Sequence, residues 1–250
     1  MKQVNLTGNS MSEWKTAFES IGFVFAGTQH IGDFDYDTYR WPYMGDGVSD
    51  SSYIGPVLRK SRYNDTVDNA RLFDFHLNDF FDASPWSFGE VHTSASNTNA
   101  IRYEYLKNGG IVFTMQNLTT APFRFAAFLP GENGEHGYVV DNTAINGLVA
   151  RIYNDGNLDK TEILNYDTTI KVNTNASNIQ LVEAYDYIND NIISNLYLCV
   201  TNPNNDKCSV AGSYKIIEVN DKNYFIIPVG DNPAQAKLAF EIADSLPSNS

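Results

Sequence analysis

At 250 residues, 42% hydrophobic and 19% charged, the chain can bury a full core and is too apolar to stay disordered, so one large β domain or two smaller ones is expected. A formal net charge of -13 works against phosphate backbones and anionic bilayers, because affinity for either is built from Lys and Arg. Neither nucleic acid nor a membrane is therefore an expected partner, and no stretch approaches the roughly 18 apolar residues of a spanning helix.

The first ten residues show no charged-then-apolar leader, so no signal peptide is expected. A helix is predicted over 11–21. Ser10 and Glu13 fit a capping box, Trp14, Phe18 and Ile21 share one face, and Gly22 stands where a left-handed cap belongs. That apolar stripe has two readings, packing on the chain's own sheet or docking on a neighbouring subunit. The second makes Trp14, Phe18 and Ile21 candidate interface residues. Residues 23–41 turn to β-type residues with many Asp, and 44–70, rich in Gly, Asp, Ser and Asn, read as long loops with short strands. Leu72, Phe73, Phe75, Leu77, Phe80 and Phe81 form an aromatic cluster whose alternation over 73–77 favours a strand.

The polar run 93–100 is a predicted linker or exposed loop and a second candidate contact. It separates 1–92, the helix with an aromatic, Asp-rich β and loop region, from an antiparallel β region over 101–250, within two domains or one. Strands over 101–107 and 111–117 flank Asn108-Gly109-Gly110, which tolerates the positive φ of a hairpin turn. A strand over 123–129 follows, then a hairpin of 148–153 and 161–166 around Asn154-Asp155-Gly156-Asn157. Strands are also expected at 195–201, at 213–219 and 223–229 around Asn220-Asp221-Lys222, and at 237–243. Cys199 and Cys208 are too few for a disulfide framework and are expected to be reduced, a hairpin disulfide being the alternative. The fold class is mostly β: antiparallel sandwich or barrel-like sheets with one short N-terminal helix.

No motif for catalysis emerges. There is no G-x-S-x-G elbow, H-E-x-x-H, C-x-x-C, P-loop or G-x-G-x-x-G, and His30, His76, His92 and His136 stand singly. The expectation is a non-enzymatic protein without catalytic residues, metal or cofactor. The most suggestive run is Asp33-Phe34-Asp35-Tyr36-Asp37-Thr38-Tyr39-Arg40-Trp41-Pro42-Tyr43. Extended, it sets carboxylates and aromatic plates on one face, as sugar recognition requires, so Asp35, Asp37, Tyr39, Trp41 and Tyr43 form a candidate glycan platform. Calcium is a weaker reading, since Thr38 and Met44 stand where an EF-hand needs Gly and Glu. The plainer alternative is an ordinary edge strand with inward aromatics and solvated acids. The loop Gly131-Glu132-Asn133-Gly134-Glu135-His136-Gly137 could likewise gather cation ligands but reads first as a solvated hairpin loop.

Two longer stretches carry a resemblance. One is Tyr103-Glu104-Tyr105-Leu106-Lys107-Asn108-Gly109-Gly110-Ile111-Val112-Phe113 with Ala121-Pro122-Phe123-Arg124-Phe125-Ala126-Ala127-Phe128-Leu129-Pro130-Gly131 after it. The other is Asn195-Leu196-Tyr197-Leu198-Cys199-Val200-Thr201, then 215–227. Over roughly 100–230 this layout resembles virion structural proteins of tailed bacteriophages, especially tail and baseplate-region components. The resemblance implies a non-enzymatic assembly protein, located in the virion after assembly in the host cytoplasm. Its partners would be other virion proteins and copies of itself. The alternative is a receptor- or carbohydrate-binding module facing a host-surface glycan.

Overall fold

The computed structural model describes residues 2–8, 10–44, 52–76, 86–89, 99–114, 125–131, 137–141, 149–154, 157–159, 179–186, 191–199, 215–228 and 237–246. In chain order the elements begin with β1 (Lys2–Leu6), α1 (Met11–Ile21), β2 (Val24–Ile31), β3 (Phe34–Arg40), β4 (Ser52–Ser61), β5 (Val67–His76) and β6 (Trp86–Gly89). There follow β7 (Asn99–Tyr105), β8 (Ile111–Thr114), β9 (Ala126–Leu129), β10 (Tyr138–Asp141), β11 (Val149–Asn154) and β12 (Asn157–Asp159). The last are β13 (Leu181–Asp186), β14 (Asn191–Cys199), β15 (Lys215–Val219), β16 (Lys222–Pro228) and β17 (Lys237–Glu241).

The fold is mostly β, sandwich-like and antiparallel, with one helix near the N-terminus. A central sheet runs β1-β7-β8-β9-β10-β11-β12, an N-terminal sheet β2-β3-β4-β5-β6, and a C-terminal sheet β13-β14-β17-β16-β15. Alternation along the central strands assigns their side chains to two cores. Ile101, Ile111, Phe113, Ala126 and Phe128 join α1 and the N-terminal sheet, whose contributions include Tyr39, Leu58 and Val67. Leu106, Val112, Phe125, Ala127 and Leu129 face the other way, onto Leu196, Leu198, Phe225, Ile227, Leu238 and Phe240 of the C-terminal sheet. The central sheet is thus the filling between two layers. This is why β8 and β9 read Ile-Val-Phe and Ala-Ala-Phe-Leu without polar interruption: a strand buried on both faces cannot alternate.

The helix begins and ends where its sequence dictates. Ser10 caps it by accepting from the Glu13 N–H at 3.3 Å, and Gly22 closes it with φ 114°, its N–H donating to Phe18 and Glu19 carbonyls. The capping box is only half formed. The Glu13 carboxylate reaches back past Ser10 to accept from the N–H and hydroxyl of Thr7. Trp14, Phe18 and Ile21 are all 0% exposed, packed on the chain's own sheets. The subunit-docking reading of that stripe is therefore corrected: a narrow apolar face already covered by the chain's own sheets is not available to a neighbour.

The turns behave as their residues require. Asn108 and Gly109 adopt φ 60° and 83° between β7 and β8, and Asn220 and Asp221 take 51° and 62° between β15 and β16. The largest departure lies in 44–70, where long loops with only short strands were expected and β4 is ten residues long. β4 and the start of β5 run there instead, paired from Ser52↔His76 to Lys60↔Val67. The strand expected at 161–166 lies outside the described residues, as do most of 93–100, most of the 131–137 loop, and Cys208, whereas β12 begins earlier at Asn157. The boundary near 93–100 is no break in packing, because β1 pairs with β7 and both flanks feed one core. Among the described residues no helix is long and apolar enough to cross a membrane.

Trp14→Ala should therefore destabilise the protein by about 3–5 kcal/mol, the range for deleting a large buried ring. Urea unfolding of the monomer measures it. Full stability with lost self-association would be the signature of an interface residue instead.

Candidate functional site

β2 and β3 are joined by a two-residue turn, Gly32-Asp33, in which Gly32 takes φ 57°. β4 and β5 are joined by residues 62–66, and the two turns are fastened together. The Arg62 N–H donates to the Asp33 carbonyl at 2.9 Å, the Arg62 Nη1 to the Gly32 carbonyl at 3.2 Å, and the Tyr63 hydroxyl to Asp33 Oδ1 at 3.2 Å. Within the second turn Asn64 Oδ1 accepts from the Thr66 N–H at 3.1 Å, and Lys60 Nζ donates to the Asn64 carbonyl at 3.3 Å. The Met11 N–H, one of the helix's orphan donors, bonds to the Asp65 carbonyl at 2.9 Å and anchors the tip to α1. At the apex of this pinned scaffold Tyr63 is 83% exposed.

Behind it lies a cross-strand row of charge. The registers His30↔Asp35 and Asp35↔Lys60 place three side chains abreast on adjacent strands. His30 Nδ1 lies 2.6 Å and Arg62 Nε 3.4 Å from Asp35 Oδ1, and Lys60 Nζ 3.6 Å from Oδ2. The hydrogen bond from His30 lowers the Asp35 pKa below its ordinary 3.8; partial burial opposes this, and the charges of His30, Lys60 and Arg62 add to the lowering. The His30 and Arg62 side chains stay 58% and 44% exposed. The imidazole is therefore open to solvent while its carboxylate partner is largely covered, and His30 hydrogen-bonds no hydroxyl or thiol among the described residues.

The candidate glycan platform is not assembled as expected. Asp35, Asp37 and Tyr39 do share a face of β3, but that face passes from solvent into the core along the strand. Tyr39 is fully buried, its ring 5.0 Å from Phe18 and 5.7 Å from Phe25. Trp41 is buried too, its indole N–H donating to the Gly109 carbonyl at 2.7 Å, and half-buried Tyr43 packs on it at 5.3 Å. These rings are core and leave no open plate for a sugar. Asp37 accepts from Thr28 Oγ1 at 2.6 Å. β3 is also an interior strand between β2 and β4, so the edge-strand alternative fails as well. The acids of 33–37 are each engaged separately, and among the described residues no group of His, Cys, Asp and Glu gathers to hold a metal.

A second cluster lies where the central and C-terminal sheets meet. Buried Glu241 receives Lys222 Nζ at 3.2 Å, Lys107 Nζ at 3.8 Å and the Tyr197 hydroxyl at 3.4 Å. Burial first, and the Glu241 charge next, push the Tyr197 pKa up to about 12. Since Leu106 bridges Ile242 and Ala243 N–H donates to the Tyr105 carbonyl at 2.8 Å, this cluster works as a strut between sheets.

Sequence reasoning missed Tyr63 and the partnership of His30. The signal available was the basic run Arg59, Lys60, Arg62 ending in Tyr63-Asn64-Asp65, a turn with an aromatic at its apex. Compared with known proteins, the chain matches no family model, no curated protein and no solved structure.

Because the Asp35 pKa is lowered, the stability it contributes is fully present above 3.8, its unfolded value, and is lost as pH falls through the folded value. Unfolding curves of wild type and Asp35→Asn should thus stay separated at neutral pH and converge as pH drops below about 4. Curves that remain parallel into acid would show the row to be energetically silent.

Proposed function

We propose that this chain is a non-enzymatic contact protein, a structural component of a tailed-phage virion that works by binding partners rather than by turning over a substrate. The observation that carries the reading is Tyr63: a large ring standing open on a tip whose two turns are tied together by Arg62 and by Tyr63 itself, bonded to Gly32 and Asp33. Tyr and Arg are the residues that concentrate binding energy at interfaces, and a pre-ordered ring loses little entropy on docking. The resemblance over roughly 100–230 supplies the virion setting. Mass spectrometry of purified particles tests that setting, and absence of the chain from the particle overturns it.

A second reading, recognition of a host-surface sugar, is favoured by the same ring lying beside the Asp33 carboxylate and the Arg62 guanidinium. The ring would stack on an apolar sugar face while the charged groups meet hydroxyls. Binding on a glycan array that Tyr63→Ala removes supports this; binding that survives the substitution places the sugar elsewhere.

Under either reading Tyr63→Ala should weaken partner binding by about 2 kcal/mol or more, roughly thirtyfold, as expected for a hot-spot ring. Its effect on folding should stay within about 0.5 kcal/mol, because the side chain is exposed. Titration calorimetry against the partner and thermal melting separate the two effects.

A further inference from the structure

The central sheet ends at β1 on one side, and among the described residues β1 pairs with β7 alone. Among those residues the outward N–H and C=O groups of Lys2–Leu6 meet no second strand, and such a row can accept one. An open groove of about 390 Å³ lies beside this edge, walled by Val4, Asn5 and Leu6 on the strand and by Ser12, Thr16 and Ser20 on α1. The three helix residues recur every fourth position, are exposed and are short, so a backbone can come close to the helix on that side. Glu13, which also faces the groove, has its carboxylate engaged by Thr7.

An extended strand answers such an edge, and charge selects which strand. The chain carries a net -13, so most of its surface repels a second copy, yet Lys2–Leu6 contains no acid. Antiparallel pairing of this segment with itself, centred on Val4, sets Lys2 opposite Leu6, Gln3 opposite Asn5 and Val4 opposite Val4. No like charges face each other in that register. We infer that a second copy of this chain adds its own β1 antiparallel to this edge, joining two central sheets into one about a twofold axis. The axis stands normal to the sheet, so both α1 helices lie on one side, with their Ser12, Thr16 and Ser20 rows facing each other. The inference rests on the assembly reading and deepens it by naming the contact between copies.

Native mass spectrometry and light scattering of the full chain, up to about 100 μM, test it against two variants. Thr16→Arg fills the groove from an exposed position outside the core. It should raise the dimer dissociation constant at least about tenfold while leaving the melting curve unchanged. Val4→Cys, facing its own counterpart, should give a reducible dimer on a non-reducing gel, since directly opposed residues lie about 4.5–5.5 Å apart at Cβ, close to disulfide reach. A wild-type dimer with both effects supports the inference. A monomer throughout the range overturns it, as does a dimer that ignores Thr16→Arg and fails to cross-link. A monomer nonetheless found in particles sinks the twofold contact and leaves the assembly reading standing, while a dimer missing from particles does the reverse.

Discussion

Burial of the central sheet on both faces is the constraint on which the rest of the structure depends. A sheet with one wet face can tolerate polar residues at every second position; β8 and β9 cannot, and they carry apolar residues at nearly every position. Two separate apolar faces must then be supplied to cover them. α1 and the N-terminal sheet provide one, and strands β14, β16 and β17 provide the other. Polar groups trapped at these junctions need local answers. Glu241 finds two lysines and a tyrosine, and buried Asn195 donates to the Lys107 carbonyl at 3.1 Å. These bonds join the central and C-terminal sheets at fixed points, which apolar packing alone does not specify.

The same layering decides which end of the N-terminal sheet is available for recognition. Tyr39 and Leu58 are closed off in the core shared with α1, whereas the far ends of the same sheet lead to His30 and Tyr63, which stand exposed. A carboxylate met by three side chains makes the turns there firm, because each partner draws its own strand or turn toward Asp35. The tip is thereby ordered by charge where the body is ordered by apolar contact. Rigid support beneath an exposed aromatic is the arrangement that favours recognition over mere stickiness.

How far the sequence foretold this varies with the range of the interaction. Local chemistry was largely legible: Ser10 and Gly22 bound the helix, and Asn108-Gly109 and Asn220-Asp221 make the turns their φ preferences require. The length of β4 was not, because its tyrosine, glycine, proline and charged residues read as loop, and only pairing with β5 and β3 makes them a strand. Periodicity correctly set Asp35, Asp37 and Tyr39 on one face, yet it is blind to what covers that face, so the buried Tyr39 and Trp41 looked like a binding plate. The partnership of β1 with β7, almost a hundred residues downstream, carries no local signal at all.

Magnitudes explain how the core between the central sheet, α1 and the N-terminal sheet tolerates a flaw. It is filled by rings: Phe23 meets Trp41, Phe113 and Phe128 edge-on at 5.0, 5.1 and 6.1 Å, and Phe18 packs on Tyr39. Several of these rings carry a polar tip. Trp41 donates to Gly109, and Tyr105 donates to the last-turn carbonyl of Ile21 at 2.9 Å, so each of those tips ties two elements together. Trp14 Nε1 and the Tyr39 hydroxyl, both buried, find no partner among the described residues. An unmet polar atom costs about 1–3 kcal/mol, whereas burying some 150–250 Å² of aromatic side chain returns about 4–6 kcal/mol at 25 cal/mol per Å². Ring burial wins at both positions. An aromatic core between a helix and two sheets can therefore carry two orphan polar atoms and still gain from burial on balance.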